Sequence, residues 1–397
     1  MCGVLGLLDP TGAVVEDLAR GALALQHRGQ DGAGLVTYAD RFYHRTGLGL
    51  WSEVFRHESL TAFRGQLGLA HLRYGTSGTG DSEECQPFLL SYPFGLALVH
   101  NGNLTNDAML RQRLDASGHR LVNSASDSET LLQVFAQALA RQDLTNMTPA
   151  AILDAVDATM AKLEGAYAVV ILIAHHGLLA FRDPHGIRPL VVGMRDRAVA
   201  FASESVALDA MDVELVRDVA PGEAIFVDLS GRVHTRQLRQ APLAHCAFEY
   251  VYLARPESII DGESVAGARE ALGEALARRF EVRSTHDVVF DVPSSAEDTA
   301  VAFARAIELP YRKGIRKKQY AHRSFIAANR TLRQHVVGMK FLLEKRAIAG
   351  QRVIVVDDSI VRGTTARVLM GRLRQQGATK LAFLSAAPRI THPCVCG

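Results

Sequence analysis

The sequence predicts two halves of different class: a strand-dominated α+β region with outer helices, then an α/β region built on a parallel sheet. Three observations lead there. From Cys2 to about Pro242 the chain consists mainly of short apolar runs separated by Gly-rich turns, and after about Ala244 helical and strand-like segments alternate. Alternation of that kind implies parallel strands joined by crossover helices. The third observation is VIVVDDSIVRGTT at 353–365, an apolar strand that stops at two acids, a small polar loop and a helical segment.

In the first half the strand-like runs are residues 4–8, 34–38, 67–72, 96–100, 166–174, 198–202 and 224–228. A helix is expected from Ser126, where Ser126 and Glu129 have capping-box spacing and Leu131, Phe135, Ala138 and Leu139 form an apolar stripe. Another is expected over 149–163, with Pro149 suited to a first helical turn. In the second half the pattern predicts helices at 264–280, 299–307 and 364–376 and strands at 287–292, 353–357 and 380–386. No internal repeat or low-complexity linker divides the halves, so their boundary near 240–250 rests on this change of texture.

At 397 residues the chain is long enough for two or three domains. Apolar residues make up 48% and charged residues 22%, and the formal charge of +2 gives no global reason to expect nucleic acid or a membrane as partner. No run of 18 apolar residues could span a bilayer, and MCGVLGLLDP lacks the basic start of a secretory signal. Five cysteines without a regular framework point to a reducing compartment, so a cytoplasmic location is expected.

Val353, Ile354, Val355 and Val356 read as a strand buried on both faces. In open α/β sheets ligands sit at the carboxyl ends of the strands, where a loop entering a helix offers free backbone N–H groups to phosphate. Asp357 and Asp358 suit a sugar diol or hydrated Mg²⁺, while the hydroxyls and Gly363 let the backbone wrap an anion. An acid pair alone could equally cap a strand and open a turn. No Walker loop is present.

Cys2 becomes the first residue once Met1 is removed. Its α-amine would titrate near 7.7–8.0 and could take the thiol proton, so one residue supplies both nucleophile and base. Gly3 leaves room for substrate. Downstream, QHRGQDGAG (26–34), HLRYGTSG (71–78), HNGNLTN (100–106) and SDSE (126–129) could each be an ordinary turn, strand end, hairpin or helix cap. In this order behind MCG they resemble the glutaminase domain of class II, N-terminal-nucleophile amidotransferases. The thirteen residues 353–365 resemble the phosphoribosyl pyrophosphate (PRPP) signature of type I phosphoribosyltransferases. Joined in one chain, the two resemble the amidotransferases that open purine synthesis by aminating PRPP, and the likeness runs from Cys2 to about Cys394.

The resemblance implies a four-layer αββα glutaminase domain at 2–242 and a parallel-sheet phosphoribosyltransferase domain at 243–397. Because family members continue beyond Gly397, the second domain is expected to be incomplete at its C-terminus. In the first domain the resemblance implies Cys2 as nucleophile, with Asn101 and Gly102 as oxyanion hole. Arg73, helped by Thr76, would take the α-carboxylate of glutamine; Asp127 would take its α-ammonium; and Arg28, in a Gly-flanked loop, would be a mobile cover. A thioester would form, ammonia would leave, and water would release glutamate.

In the second domain Pro293, Ser294 and Ser295 stand where the family has a P-x-S/T-S loop, and Ser295 would help to hold Mg²⁺ with Asp357 and Asp358. Ser359, Ile360, Val361, Arg362, Gly363, Thr364 and Thr365 would cradle the 5-phosphate. The run RKGIRKKQYAHRS, which by itself could be a solvated face, would be a basic flap over pyrophosphate, with Lys317 and Arg323 at matched positions. Gln319 and His322 depart from the family pattern there. Ammonia would need a shielded path, which no residue identifies. Cys246 and Cys394 match two of the four ligands of a [4Fe-4S] cluster in one subgroup, so a cluster would require two further cysteines from a segment beyond Gly397. Cys85 reads as a packed core residue. The expected partners are glutamine, PRPP and further copies of the chain. A PRPP-binding regulator, or a glutaminase that has lost transfer, are the alternatives.

Overall fold

The computed structural model describes residues 2–56, 60–75, 81–116, 122–280, 286–318, 341–361 and 363–396. These residues divide into two compact units. The first holds the described residues up to Cys246 together with Ser258–Gly262 and those from Cys394 on; the second holds Ala247–Glu257 and Glu263–Pro393.

The strands of the first unit are β1 (Gly3–Leu8), β2 (Gly32–Tyr38), β3 (Phe42–Leu48), β4 (Leu67–Arg73), β5 (Phe88–Leu90), β6 (Leu96–Leu104), β7 (Gly165–Ile173), β8 (Gly177–Arg182), β9 (Val191–Arg195), β10 (Ala198–Ala202), β11 (Glu214–Asp218), β12 (Glu223–Asp228) and β13 (Val233–Gln237). They make two antiparallel sheets, one of seven strands in the order β11-β9-β10-β1-β4-β2-β3 and one of six in the order β13-β12-β8-β7-β6-β5. Between the sheets lies a core that includes Val4, Val36, Leu69, Val99, Val170 and Phe201.

Helix α1 (Val15–Ala24) packs on the outer face of the seven-stranded sheet through Val15, Leu18 and Ala22. On the outer face of the other sheet, α2 (Asp127–Leu139) and α3 (Pro149–Met160) bury Leu131, Phe135, Ile152 and Val156. The result is helix, sheet, sheet, helix, the expected αββα layering. It explains why β1, and β4 as far as Ala70, are apolar without alternation: both faces of each strand are covered and every residue is buried.

Helix α2 starts at the expected Ser126, whose side chain accepts from Ser128 N. The reciprocal half of the capping box does not form. Glu129 instead accepts from the backbone of Asn123 and Ser124, so it ties down the preceding turn. Helix α3 is capped by Thr148 and begins at Pro149, as the missing N–H of proline favours.

The second unit is a three-stranded parallel sheet of β14 (Val288–Asp291), β15 (Arg352–Asp357) and β16 (Lys380–Ser385), with β15 in the centre. Helix α4 (Glu297–Ala306) buries Ala300 and Phe303 against Val289, Ile354 and Val356. On the other face α5 (Thr364–Gln375) packs Leu369 and Leu373 on Val288, Val353 and Val355. The central strand ends at Asp357, at the carboxyl edge where the sequence pattern puts a ligand. Among the described residues no helix is long and apolar enough to cross a membrane.

Candidate active site

Two constellations stand at strand ends, one in each unit. In the first unit, Cys2 precedes β1, and its backbone is held from both sides. Its N–H donates to Asn101 Oδ1 at 2.8 Å, and its carbonyl accepts from Arg28 Nε at 3.0 Å. The thiol lies 3.8 Å from the Tyr74 carbonyl. Cys2, Arg73, Glu84, His100, Gly102 and Asp127 share one cavity of about 40 Å³.

Asn101 and Gly102 lie on β6, opposite Ala168 and Tyr167 of β7. Asn101 is fully buried, and its amide Nδ2 has no partner among the described residues. A buried donor left unpaired costs about 1–3 kcal/mol, which is the condition of a hydrogen-bond site awaiting an acceptor. Gly102 is required sterically: a Cβ there would stand 1.9 Å from the Ala166 carbonyl oxygen and 2.7 Å from His100 Nε2.

Asp127 opens α2, and its carboxylate accepts from Leu104 N at 2.8 Å. His100 lies behind it, with Nδ1 2.9 Å from Ser128 Oγ and 3.8 Å from Asp127 Oδ1. Burial holds His100 below the ordinary histidine value, and holds His71 down at about 3. Both imidazoles are therefore neutral near pH 7 and add no positive charge beneath the cavity.

Arg73 ends β4 beside the cavity and is engaged by the buried carboxylate of Glu84. Glu84 carries no signal in the sequence beyond its place before CQPF. Arg28 corrects the expectation of a mobile cover. It is fully buried and ion-paired with fully buried Glu204, because a guanidinium taken out of water is held wherever its counter-charge is fixed. Thr76 lies outside the described residues.

In the second unit, burial and the adjacent Asp358 push the Asp357 carboxyl up to about 7. Burial also raises Asp358, opposed by hydrogen bonds from Ser295 and from Ser359, the latter at 2.6 Å. Ser359 and Ile360 are half-buried and Val361 is 60% exposed, so the turn beyond the acids is open to solvent. Gly363 caps α5 at φ 65°, a left-handed conformation natural to glycine, and nothing lies within 4 Å of where its Cβ would be. Thr364 and Thr365 form the first turn of α5. This arrangement presents backbone N–H groups and hydroxyls next to two acids.

Lys317 is exposed on the short strand Ile315–Lys317. Of the same basic run, Lys313 pairs with Glu297 and Arg316 with Glu344. Gln319, His322, Arg323 and Arg362 lie outside the described residues. Cys246, Cys394 and Cys396 all belong to the first unit, where Cys396 N donates to Cys394 Sγ at 3.4 Å and Arg188 donates to the Cys396 carbonyl at 2.6 Å. Among the described residues no three His, Cys, Asp or Glu side chains are grouped to hold a metal ion. Cys85 is buried, as a packed residue would be.

Residues 71–210 match the family described as glutamine amidotransferase domain. The chain is 43% identical to the amidophosphoribosyltransferase of Pasteurella multocida and 42% identical to that of Escherichia coli, in each case over all of this chain and 81% of the relative. Among solved structures, the glutamine PRPP amidotransferase of B. subtilis complexed with ADP and GMP superposes with a TM-score of 0.89 at 35% identity, covering 100% of this chain and 84% of that one.

Proposed function

The chain belongs to the amidophosphoribosyltransferase family, and from that premise we propose how its residues divide the work. The enzyme takes ammonia from glutamine and transfers it to PRPP, giving phosphoribosylamine and pyrophosphate, the first step of purine biosynthesis.

Glutamine hydrolysis is assigned to the domain at 2–242 and transfer to the domain at 243–397. The observation that carries the first assignment is the gathering of Cys2, Arg73, Gly102 and Asp127 around one cavity, with Asn101 bonded to the nucleophile's own nitrogen. With Met1 removed, that nitrogen is an α-amine, and Asn101 Oδ1 orients it toward the thiol proton. Thiolate attack puts negative charge on the amide oxygen. The unpaired Asn101 Nδ2 and the Gly102 N–H supply donors fixed before the reaction begins, so little reorganisation is needed as charge develops. Asp127 receives the α-ammonium, and Arg73, steadied by Glu84 and helped by Thr76, receives the α-carboxylate. The α-amine returns the thiol proton to the amide nitrogen, which leaves as ammonia when the C–N bond breaks, and water then cleaves the thioester to give glutamate and restore the thiol.

In transfer, Asp357 and Asp358 take the ribose hydroxyls, and residues 359–365 take the 5-phosphate at the start of α5. Lys317 and Arg323 neutralise the departing pyrophosphate. The acid pair fits Mg²⁺: a carboxyl raised to about 7 by burial and by a neighbouring carboxylate is one that a cation would return to its charged form. Asp357, Asp358 and Ser295 would hold that ion, which would supply charge neutralisation at the pyrophosphate. Cys246 and Cys394 would be two of the four thiolates that a [4Fe-4S] cluster takes, so a cluster would need two further cysteines. The soluble substrates, a homo-oligomeric assembly and a cytoplasmic location complete the reading.

The test is PRPP-dependent pyrophosphate release with glutamine and, separately, with ammonium salts. Release with both nitrogen sources is expected. Release with neither would overturn the assignment of transfer, and release with ammonium alone would overturn that of the glutaminase.

A further inference from the structure

We propose that Glu204, acting through Arg28, is the positioning residue that fixes Cys2 for attack, and that Ser258 fixes Glu204 in turn. The proposal rests on the reading of Cys2 as nucleophile. Arg28, Glu204 and Ser258 are each fully buried. One oxygen of Glu204 takes the Arg28 guanidinium and lies 2.8 Å from His27 Nε2; the other accepts from Ser258 Oγ at 2.8 Å. Arg28 Nε then donates to the carbonyl of Cys2 at 3.0 Å.

A guanidinium this deep is stable only against a fixed counter-charge, so Glu204 determines where the planar fork of Arg28 points. The fork ends on the main chain of the nucleophile itself, on the carbonyl, while Asn101 holds its nitrogen. Cys2 stands immediately before β1, outside the strand pairing that starts at Gly3. Its backbone torsions are therefore set by these two contacts, and with them the place of Sγ relative to Asn101 and Gly102. A side chain that merely stabilised the sheet would have no need of a bond to that carbonyl.

The test uses the full chain carrying Glu204→Gln, Glu204→Asp, Ser258→Ala or, as a control on the underlying reading, Cys2→Ala. Three quantities are measured: kcat and KM with glutamine, the rate with ammonium, and the rate of iodoacetamide alkylation at Cys2 followed by peptide mass analysis across pH. Glu204→Gln is expected to lower glutamine-dependent kcat about 100-fold, the cost of a misplaced reacting group, with KM and the ammonium rate within about twofold. Glu204→Asp should recover about tenfold of that loss, and Ser258→Ala should lower the same kcat about tenfold with an altered alkylation profile. Unchanged kcat in Glu204→Gln, or equal loss of both activities with Ser258→Ala unaffected, overturns the proposal. Should Glu204→Gln fail to fold, Ser258→Ala decides alone: a fall confined to glutamine-dependent kcat supports the proposal, and no fall overturns it. Glutamine use surviving Cys2→Ala would overturn the underlying reading and the proposal together, whereas its loss beside an unaffected Glu204→Gln overturns the proposal only.

Discussion

The two strand-end sites solve opposite electrostatic problems. Around Cys2 the charges are already balanced inside the protein: Arg28 against Glu204 and Arg73 against Glu84, with His71 and His100 kept neutral by burial. Among the groups left open there is the amide donor Asn101 Nδ2. At the tip of β15 the balance is unfinished, because two neighbouring acids are both raised by burial and face an exposed turn. A site that stabilises fleeting charge benefits from being complete beforehand, whereas one that binds a polyanion with its cation can leave charge for the ligand to settle.

The contrast can be broken most sharply at the nucleophile. Cys2→Ala should abolish glutamine-dependent pyrophosphate release while leaving the ammonium-dependent rate within about twofold; loss of both would mean that the two sites are not separable. Next come two mirror-image changes of about 10²- to 10³-fold, the size expected for removing an electrostatic partner of the reacting charge. Asn101→Ala should lower kcat with glutamine only, and Asp358→Ala should lower transfer from both nitrogen sources. If Asn101→Ala also slowed the ammonium reaction, the assignment of that amide to the glutaminase alone would fail.

A smaller effect is expected at Arg73. Arg73→Lys keeps the charge but loses the fork, and should raise KM for glutamine about 10- to 100-fold with little change in the ammonium reaction. An unchanged KM would remove Arg73 from the substrate contacts.

The smallest effect sharpens the comparison from the other side. With its folded value raised from 3.8 to about 7, Asp357 keeps a proton that the unfolded chain releases, so its contribution to stability is complete below about pH 4 and is lost as pH rises to about 7. Thermal melts of the metal-free protein should fall by a few degrees over that range, and Mg²⁺ with PRPP should reverse the fall. Asp357→Asn should flatten the profile; a slope unchanged in that variant would assign it to another group.

Much of this was legible in the sequence because it is local. A run such as VIVV followed by DDS fixes a buried strand and its polar end with residues adjacent in the chain, and Pro149 or Ser126 marks a helix start within one turn. Motif order likewise brought forward Cys2, Asn101, Gly102 and Asp127 as candidates, Cys2 just before β1, Asp127 at the start of a capped helix, and Asn101 with Gly102 as an Asn-Gly pair within β6. The edge strands β3, β11 and β13 left no such mark: they are partly exposed, their side chains are mixed, and only pairing with a neighbour makes them strands.

What only the tertiary structure decided is where buried charge goes. Arg28 and Glu204 are 176 residues apart, and Arg73 meets Glu84 across the surface of a cavity. Spacing along a chain cannot announce such pairs, because each carboxylate is an ordinary polar residue until the sheets close over it and desolvation makes its partner obligatory. The sequence by itself determined the buried central strands, the candidate nucleophile and the acid pair; the enclosure of those groups, and so their charge states and rigidity, came from the packing of the layers.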